Sequence, residues 1–418
     1  MKLLKGASIY LVSNILNAAI PFLLLPILTR YLSHEEYGQI AIFQTILTGI
    51  NTFIGLNTIE ATTRKYFDTN KNDNLLREFN GSCLQILFIS SLMIIILALF
   101  FKGNLDFFSI PANWIITAVI ISIFNFIISL RLVQWQIRNK AKSFGILQLT
   151  NSLVNMSLTL VLAIYMKQGA QGRIDAQLIT SLTIASISLL LIYRDNLVTI
   201  ISWNWLNIKE ALKFGLPLLP HNIGVFIISS IDRFFITQKL GIAETGIYMV
   251  AVQLSSSLAI VFNSLYQAYI PWLFERLKRN NQNEKKTIVK NTYIYFILLI
   301  IAAALSFITG PFFVILIAGE KYSSVSNIIG WLCLGQIFGG MYLIMSGYIY
   351  YSKKTSNFAF ITLFSGSINI ILLYLFIDSF GLLGAAVSYA ITKFIQFIIV
   401  FLISKKITDM PWGKIFQS

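Results

Sequence analysis

Apolar runs of roughly 17–25 residues recur along the whole chain and are separated by short polar segments. A run of that length, wound as an α-helix, crosses the hydrocarbon core of a bilayer, which is about 30 Å thick. The pattern therefore predicts an all-α polytopic membrane protein with twelve transmembrane helices. The predicted helices lie near residues 7–29, 37–60, 80–101, 110–133, 143–166, 174–194, 212–236, 246–270, 290–310, 325–350, 357–377 and 381–403. The short run 311–319 is interpreted as a re-entrant piece or a continuation of the ninth helix.

The composition supports lipid as the solvent for most of the chain. Hydrophobic residues make up 56% of the 418 residues and charged residues only 12%, whereas a soluble domain is about 25% charged. The two cysteines, Cys83 and Cys333, both lie in predicted helices. They are interpreted as small core residues rather than as a disulfide or a metal pair.

The basic residues are distributed unevenly between the two sets of loops. With a cytoplasmic N-terminus, 24 of the 32 lysines and arginines fall on cytoplasmic segments and 6 on outer segments. The remaining two, Arg233 and Lys393, fall inside predicted helices. Cytoplasmic loops of membrane proteins carry such an excess of Lys and Arg. The bias predicts that both termini are cytoplasmic, and it accounts for the net charge of +15 without a nucleic-acid partner.

The two halves of the chain show weak internal similarity at a spacing of about half its length. Leu32, Glu36, Gly38 and Asn155 match Leu240, Glu244, Gly246 and Asn369. The matches predict an N-terminal six-helix lobe, 1–203, and a C-terminal six-helix lobe, 204–418, related by a pseudo-two-fold axis along the membrane normal. This plan places a central site between the lobes. Chance similarity between transmembrane helices remains the alternative.

Several predicted helices carry polar residues at helical spacing, where contact with lipid would favour apolar ones. Hydrogen bonds between helices could explain any one of these polar stripes. Their presence in both halves favours a hydrated central cavity. The candidate lining residues are Asn14, Asn51, Asn151, Asn155, Asn263 and Gln396.

Lys393 lies near the middle of the last predicted helix. A lysine at that depth costs about 2.5–3.5 kcal/mol, and it is too far from either interface to reach water easily. The functional interpretation is a cationic site for an anionic substrate. The alternative is a structural ion pair with a carboxylate.

Asp232 and Arg233 are adjacent charges in an otherwise apolar run. Neighbouring positions on a helix point in different directions, so we predict that these two side chains do not form a simple local pair. Snorkelling towards the interface is the alternative. Asp232 is the candidate residue for coupling transport to H⁺ or Na⁺, because it is the clear carboxylate within a predicted helix.

Other charged residues and prolines give more local expectations. Glu60 and Arg64 are four residues apart and are predicted to pair, and Arg131 marks the inner end of the fourth helix. Prolines predict kinks in the first and seventh helices. These prolines are Pro21, Pro26, Pro217 and Pro220.

Four stretches resemble polysaccharide flippases of the Wzx type, in the multidrug/oligosaccharidyl-lipid/polysaccharide exporter superfamily. They are LPILTRYLSHEEYG, IEATTRKYF, IDRFFITQKLGIAETGIYMVA and INIILLYLFIDSFGLLGAAVSYAITKF. The resemblance covers essentially the whole chain. It implies two six-helix lobes around a basic cavity that opens alternately to each side. It also implies movement of undecaprenyl-pyrophosphate-linked oligosaccharides to the outer leaflet of a bacterial inner membrane, for O-antigen or capsule assembly.

The resemblance also implies a substrate whose pyrophosphate needs cations and hydrogen-bond donors. The candidate substrate-binding residues are Lys393, Arg233, Arg64 and Arg131. The expected partners are the lipid-linked oligosaccharide, membrane lipids, H⁺ or Na⁺ and other membrane proteins of polysaccharide assembly. No cofactor or metal is expected.

Two other functions are kept as alternatives. An ion-coupled drug/cation antiporter of the same superfamily should carry acidic cavity residues, whereas the predicted helices hold more basic charges than acidic ones. A membrane polysaccharide polymerase needs a catalytic acid or base or a large loop outside the membrane. The only histidines are His34 and His221, so the sequence predicts a transporter and not an enzyme.

Overall fold

The computed structural model describes residues 2–68, 72–100, 110–199 and 203–413, without the side chains of residues 2–9 and 11. Of the lysines expected on loops, Lys71, Lys102 and Lys414 lie outside these residues. The chain divides into two compact units, residues 1–226 and 227–418. The first unit contains α1 (Lys2–Tyr31), α2 (His34–Phe53), α3 (Thr58–Asp68), α4 (Asp73–Phe100), α5 (Asn113–Ile137), α6 (Ala141–Thr159), α7 (Gly169–Arg194) and α8 (Trp205–Gly215). Helix α9 (Leu219–Leu240) contains the division, and the second unit continues with α10 (Ile242–Arg279), α11 (Gln282–Ala318), α12 (Ser326–Tyr351) and α13 (Asn357–Ile407).

The predicted fold class, an all-α polytopic membrane protein, is confirmed. Eleven helical segments in the described part of the chain are long and apolar enough to cross a membrane. The predicted continuation of the ninth helix is present, because α11 extends through Pro311 to Ala318. Helix α1 continues through Pro21 and Pro26, whereas Leu216–Leu218 forms a 3₁₀ turn just before α9.

The longest helix, α13, changes direction at Gly381. A straight helix of its 51 residues would be about 76 Å long at 1.5 Å per residue, far more than a bilayer core requires. Gly381 has φ 57° and ψ −134°, which are not helical angles. The Thr392 hydroxyl donates to Asn369 Oδ1 at 3.1 Å, and these two residues lie at nearly equal distances along the chain from Gly381. The chain therefore reverses at this glycine, although the count of twelve spans stays a prediction.

A break in the second predicted helix is the main departure from the expected helices. Helix α2 ends at Phe53 and α3 begins at Thr58. Between them Gly55, Leu56 and Asn57 have φ of 68°, 49° and 58°, and left-handed residues cannot continue a right-handed helix. The Gly55 N–H donates to Ser90 Oγ at 2.9 Å, and its carbonyl accepts from the Thr58 hydroxyl at 2.7 Å. Side chains thus satisfy backbone groups that the break releases, as a membrane interior requires.

Replacing Gly55 with alanine is expected to destabilise the first unit. The new Cβ would lie 2.1 Å from Phe126 Cε2, and overpacking of this kind costs about 1–3 kcal/mol. Left-handed backbone adds roughly 1–2 kcal/mol for a residue with a Cβ. Thermal unfolding of the purified protein in detergent measures the loss. Gly339→Ala is the matched control, because a Cβ there meets nothing within 4 Å, and an equal effect of both changes would contradict the prediction.

The first compact unit extends beyond residue 203, where the internal repeat places the lobe boundary. Helix α8 explains the difference. Ile208 and Ala211 are buried in a cluster with residues of α3 and α4, and Lys65 Nζ donates to Glu210 Oε2 at 2.5 Å. The segment after residue 203 therefore packs with the first unit, and the two six-helix lobes with their pseudo-two-fold axis stay a prediction.

Candidate functional site

A polar cavity of about 530 Å³ lies within the first unit, among α1, α3, α5, α6 and the end of α2. Its polar lining consists of Asn17, Asn51, Asn57, Glu60, Ser122, Asn125, Ser129, Gln148 and Asn151. Polar residues predicted on the first, second and fifth helices thus face one space. The break after α2 contributes to the site, because it places Asn57 and Glu60 in the cavity wall.

A second cavity of about 880 Å³ lies at the end of α3 and α5. Glu60 and Val133 line both cavities. The other lining residues are Thr63, Tyr66, Phe67, Asp73, Gln136, Ile137, Arg138 and Asn139. The two cavities therefore adjoin at Glu60.

The charges around these two cavities are paired, with one exception. Arg138 forms an ion pair with Asp73 in the second cavity. The predicted pair of Glu60 with Arg64 is wrong, because Arg64 Nε instead donates to Asp68 Oδ2 at 3.2 Å, one turn further along the helix. Glu60 forms no ion pair within the described residues, so it is the uncompensated charge of the lining.

Arg131 is buried away from the two cavities. Its side chain is 2% exposed, and Nη2 donates to Asp195 Oδ2 at 2.6 Å. The guanidinium also lies 4.1 Å from the centroid of the Trp135 ring. Arg131 Nε and Nη1 have no hydrogen-bond partner in the part of the chain that the structure describes. Arg131 therefore holds the end of α5 against the segment after α7.

The predicted absence of a pair between Asp232 and Arg233 is wrong. Arg233 Nη1 lies 2.8 Å from Asp232 Oδ1, and the same guanidinium group donates to the Ser229 carbonyl. The Cβ atoms of neighbouring helical residues do diverge, but the long arginine side chain folds back to its neighbour. The second carboxylate oxygen, Oδ2, accepts from the Tyr248 hydroxyl at 2.7 Å.

This ion pair is buried in the second unit. Asp232 is 3% exposed and Arg233 is 5% exposed, so neither residue snorkels to an interface. Taking two charges out of water is costly, and removing one member of such a pair leaves the other uncompensated. An ion that binds this carboxylate would share its oxygens with Arg233 and Tyr248.

Lys393 has a different environment in the second unit. Its side chain is half-buried in the part of α13 after Gly381, and Nζ donates to Gln396 Oε1 at 3.4 Å. The ammonium group lies 5.7 Å from the centroid of the Tyr389 ring. No carboxylate forms a salt bridge with Lys393 among the residues that are described. The alternative of a structural ion pair therefore lacks a partner there.

The remaining candidate residues Asn14, Asn155 and Asn263 do not line either of these two cavities. Asn155 Oδ1 accepts from Arg173 Nη1 at 2.6 Å. Arg173 is one of the six basic residues counted on outer segments, but it lies inside α7. Asn263 is exposed, and its amide donates to the Ala259 carbonyl of its own helix at 2.8 Å. Asn14 is half-buried on α1, one turn before Asn17.

Several polar residues that line the first cavity were not selected from the sequence. They include Asn57, Glu60, Asn125 and Gln148. Gln148 belongs to the polar stripe of the fifth predicted helix, and Asn125 interrupts an apolar run, so both carried a signal. The positions of Asn57 and Glu60 in the cavity wall follow from the break after α2. No proline in the sequence indicates that break.

Comparisons with known sequences identify proteins of polysaccharide biosynthesis as relatives of this chain. A family described as polysaccharide biosynthesis protein matches residues 3–277. A membrane protein of Haemophilus influenzae without an assigned function is 28% identical over 87% of this chain and 88% of its own length. The capsular polysaccharide biosynthesis protein CapF of Staphylococcus aureus is 23% identical over 97% of this chain and 100% of its own length. A Shigella flexneri protein provisionally named an O-antigen transporter is 23% identical over 60% of each chain.

Solved structures show the same fold. The lipid II flippase MurJ, in an inward closed conformation, aligns with a TM-score of 0.75 at 16% identity over 96% of this chain and 87% of MurJ. A multidrug resistance MATE family transporter of the MOP superfamily, in an inward-facing conformation, aligns with a TM-score of 0.67 at 15% identity. That alignment covers 96% of this chain and 94% of the transporter. Identities this low establish the fold alone.

Proposed function

Because the chain belongs to the polysaccharide biosynthesis protein family, we propose that it is a flippase for lipid-linked oligosaccharides. It moves undecaprenyl-pyrophosphate-linked repeat units from the cytoplasmic to the outer leaflet of a bacterial inner membrane by alternating access. The product serves O-antigen or capsule assembly. Both termini are cytoplasmic in this proposal, and other membrane proteins of polysaccharide assembly receive the product.

Lys393 is the single observation that carries the proposal. A lysine within a membrane-spanning segment is costly and marks a functional site by default. Its ammonium group contacts the neutral Gln396 and Tyr389, so its charge is available for an anion. A pyrophosphate carries negative charge and strong acceptor oxygens, which a lysine binds as a point charge. Lys393 is thus the first candidate for the pyrophosphate contact.

The other candidate cations have weaker support for a direct contact with substrate. Arg233 and Arg131 are each buried against a carboxylate, and Arg64 is paired at the exposed surface of α3. These arginines would bind substrate only after losing their partners. We therefore rank them below Lys393.

Asp232 is the proposed coupling residue. Its two oxygens accept from Arg233 and Tyr248, so binding of H⁺ or Na⁺ there would loosen the contact between α9 and α10. A change in that contact offers a route from ion binding to movement of helices. Which of the two ions is used is decided by comparing transport in a proton gradient and in a sodium gradient.

A drug/cation antiporter is the second candidate, and Glu60 is the observation in its favour. An uncompensated carboxylate in a polar cavity can attract a cation, as such an antiporter requires. Cells that express the protein would then exclude cationic dyes, and Glu60→Gln would abolish that exclusion. A membrane polymerase is not proposed, because the relatives and neighbours named for an activity are transporters or flippases.

Deleting the gene is expected to remove surface polysaccharide and to accumulate its lipid-linked precursor. The block would lie after synthesis of the repeat unit, which would remain in the cytoplasmic leaflet. Mass spectrometry of extracted lipids identifies the precursor, and a plasmid copy of the gene is the control. Normal surface polymer in the deletion strain, without an accumulated precursor, would contradict the proposed function.

A further inference from the structure

We infer that the two cavities of the first unit form a saccharide subsite that selects uncharged or amino sugars and disfavours acidic ones. The inference rests on the proposed function and specifies its substrate. The resemblance to flippases implied a basic cavity, whereas the described lining of this unit is rich in amides and carries an uncompensated carboxylate. That difference has a direct consequence for which sugars can bind.

The chemistry of the lining suits sugar hydroxyls. Each asparagine or glutamine amide offers both donors and an acceptor, and a hydroxyl can donate and accept at once. Six amide side chains line the first cavity, and two more line the second. In the first cavity they are Asn17, Asn51, Asn57, Asn125, Gln148 and Asn151, and in the second they are Gln136 and Asn139. The side-chain oxygen of Asn57 already accepts a hydrogen bond from the Asn222 amide. Volumes of about 530 and 880 Å³ fall in the range of small-molecule sites, about 300–1,000 Å³.

An apolar face is also present at the wider cavity. Phe67 is 59% exposed and lines it. Tyr66 packs edge-on against Phe67 and is covered by Arg138, whose guanidinium lies 5.2 Å from the Tyr66 ring centroid. Phe67 therefore offers an open aromatic surface beside amide groups, a combination that suits the apolar face and the hydroxyl edge of a sugar ring.

The charges of the lining discriminate between sugars. Arg138 is neutralised by Asp73, and the neighbouring cations of α3 are also occupied, Arg64 by Asp68 and Lys65 by Glu210. Glu60 remains uncompensated among the described residues where the two cavities adjoin. A uronate or sialate carboxylate near Glu60 would meet a like charge, whereas a hydroxyl or ammonium group would gain a hydrogen bond.

The two chemical parts of the proposed substrate suit residues of different units. The pyrophosphate needs a cation, and Lys393 in the second unit supplies one that has no carboxylate partner among the described residues. The sugars need amides and a carboxylate, which the first unit supplies. Each unit by itself therefore matches one part of the lipid-linked oligosaccharide.

Three methyl glycosides that differ in one substituent test the inference. They are methyl glucoside, methyl glucosaminide and methyl glucuronide, titrated against the full-length protein in nanodiscs by saturation-transfer NMR at low ionic strength. We expect the glucuronide to bind about fivefold more weakly than the glucoside, because of like-charge repulsion at the exposed Glu60. Glu60→Gln should remove most of that difference. Glu35→Gln, an exposed carboxylate at the start of α2, should preserve it.

The outcomes separate this inference from the proposed function. Equal binding of glucoside and glucuronide to the unsubstituted protein would overturn the charge selection. Binding of none of the three glycosides would overturn the saccharide subsite. If the glycosides bind with the expected preference but the deletion strain keeps normal surface polymer, the flippase proposal fails while the subsite stands.

Discussion

Replacing Lys393 with alanine is expected to abolish surface polysaccharide while the protein stays folded and abundant in the membrane. The ammonium group contributes little to folding, because its contacts are a long hydrogen bond to Gln396 and the Tyr389 ring. Its removal also relieves a burial cost of about 2.5–3.5 kcal/mol. Losing a charged contact to the pyrophosphate would cost about 2–5 kcal/mol of binding, which is at least thirtyfold in affinity. Immunoblots of membranes and stained gels of surface polymer measure the two quantities.

Two further variants make the Lys393 result specific. Lys393→Arg keeps the charge and should retain part of the polymer. Lys239→Ala removes a lysine of the same unit that is exposed and lies 2.9 Å from Asp378, and the loss of such a surface pair changes stability by at most about 1 kcal/mol. We expect wild-type polymer with Lys239→Ala. Wild-type polymer with Lys393→Ala at normal abundance would remove Lys393 from the substrate site.

Replacing Asp232 with alanine is expected to have the largest effect on stability. The change leaves the buried Arg233 guanidinium without its carboxylate and the Tyr248 hydroxyl without its acceptor. Breaking a buried ion pair in this way costs about 3–5 kcal/mol. The double variant Asp232→Ala/Arg233→Met should recover most of the loss, since apolar replacements of a buried pair are often neutral or stabilising. Thermal unfolding in detergent of the double variant and of both single variants, Asp232→Ala and Arg233→Met, gives the interaction energy from the double-mutant cycle.

The double variant also separates folding from coupling. If Asp232 binds the coupling ion, the double variant is stable but does not restore surface polymer to the deletion strain. Asp378→Ala, which breaks the exposed pair with Lys239, is the matched control and should leave both properties unchanged. A double variant that is both stable and fully active would show that Asp232 has a structural role alone.

The helices were predictable from sequence because the cost of hydrocarbon burial dictates both their length and their composition. The predicted apolar runs are helical in the described chain apart from the break after α2, and the uncertain run after residue 310 continues α11. The polar stripes likewise located Asn51 and Asn151, which face one cavity. A stripe records which side of a helix avoids lipid, so it identifies a polar face before any neighbouring helix is known.

The errors arose where side-chain reach or neighbouring helices decide the outcome. The ion pair of Asp232 with Arg233 was missed because helical spacing describes Cβ directions and not the length of an arginine. Glu60 was assigned to Arg64 because spacing alone cannot choose between acceptors one turn before and one turn after. The break at Gly55 depends on Ser90 from α4 and Phe126 from α5, contacts that are distant in sequence.

The reversal at Gly381 has a consequence for how the protein enters the membrane during its synthesis. Almost no chain separates the helix before this glycine from the helix that carries Lys393, and the Gly384 Cα packs against the Phe376 carbonyl so closely that a Cβ would lie 2.2 Å from its oxygen. The two helices can therefore leave the translocon together, as a hairpin. The apolar side chains of the leading helix then offset the insertion penalty of the lysine, which a lone segment would have to meet by itself.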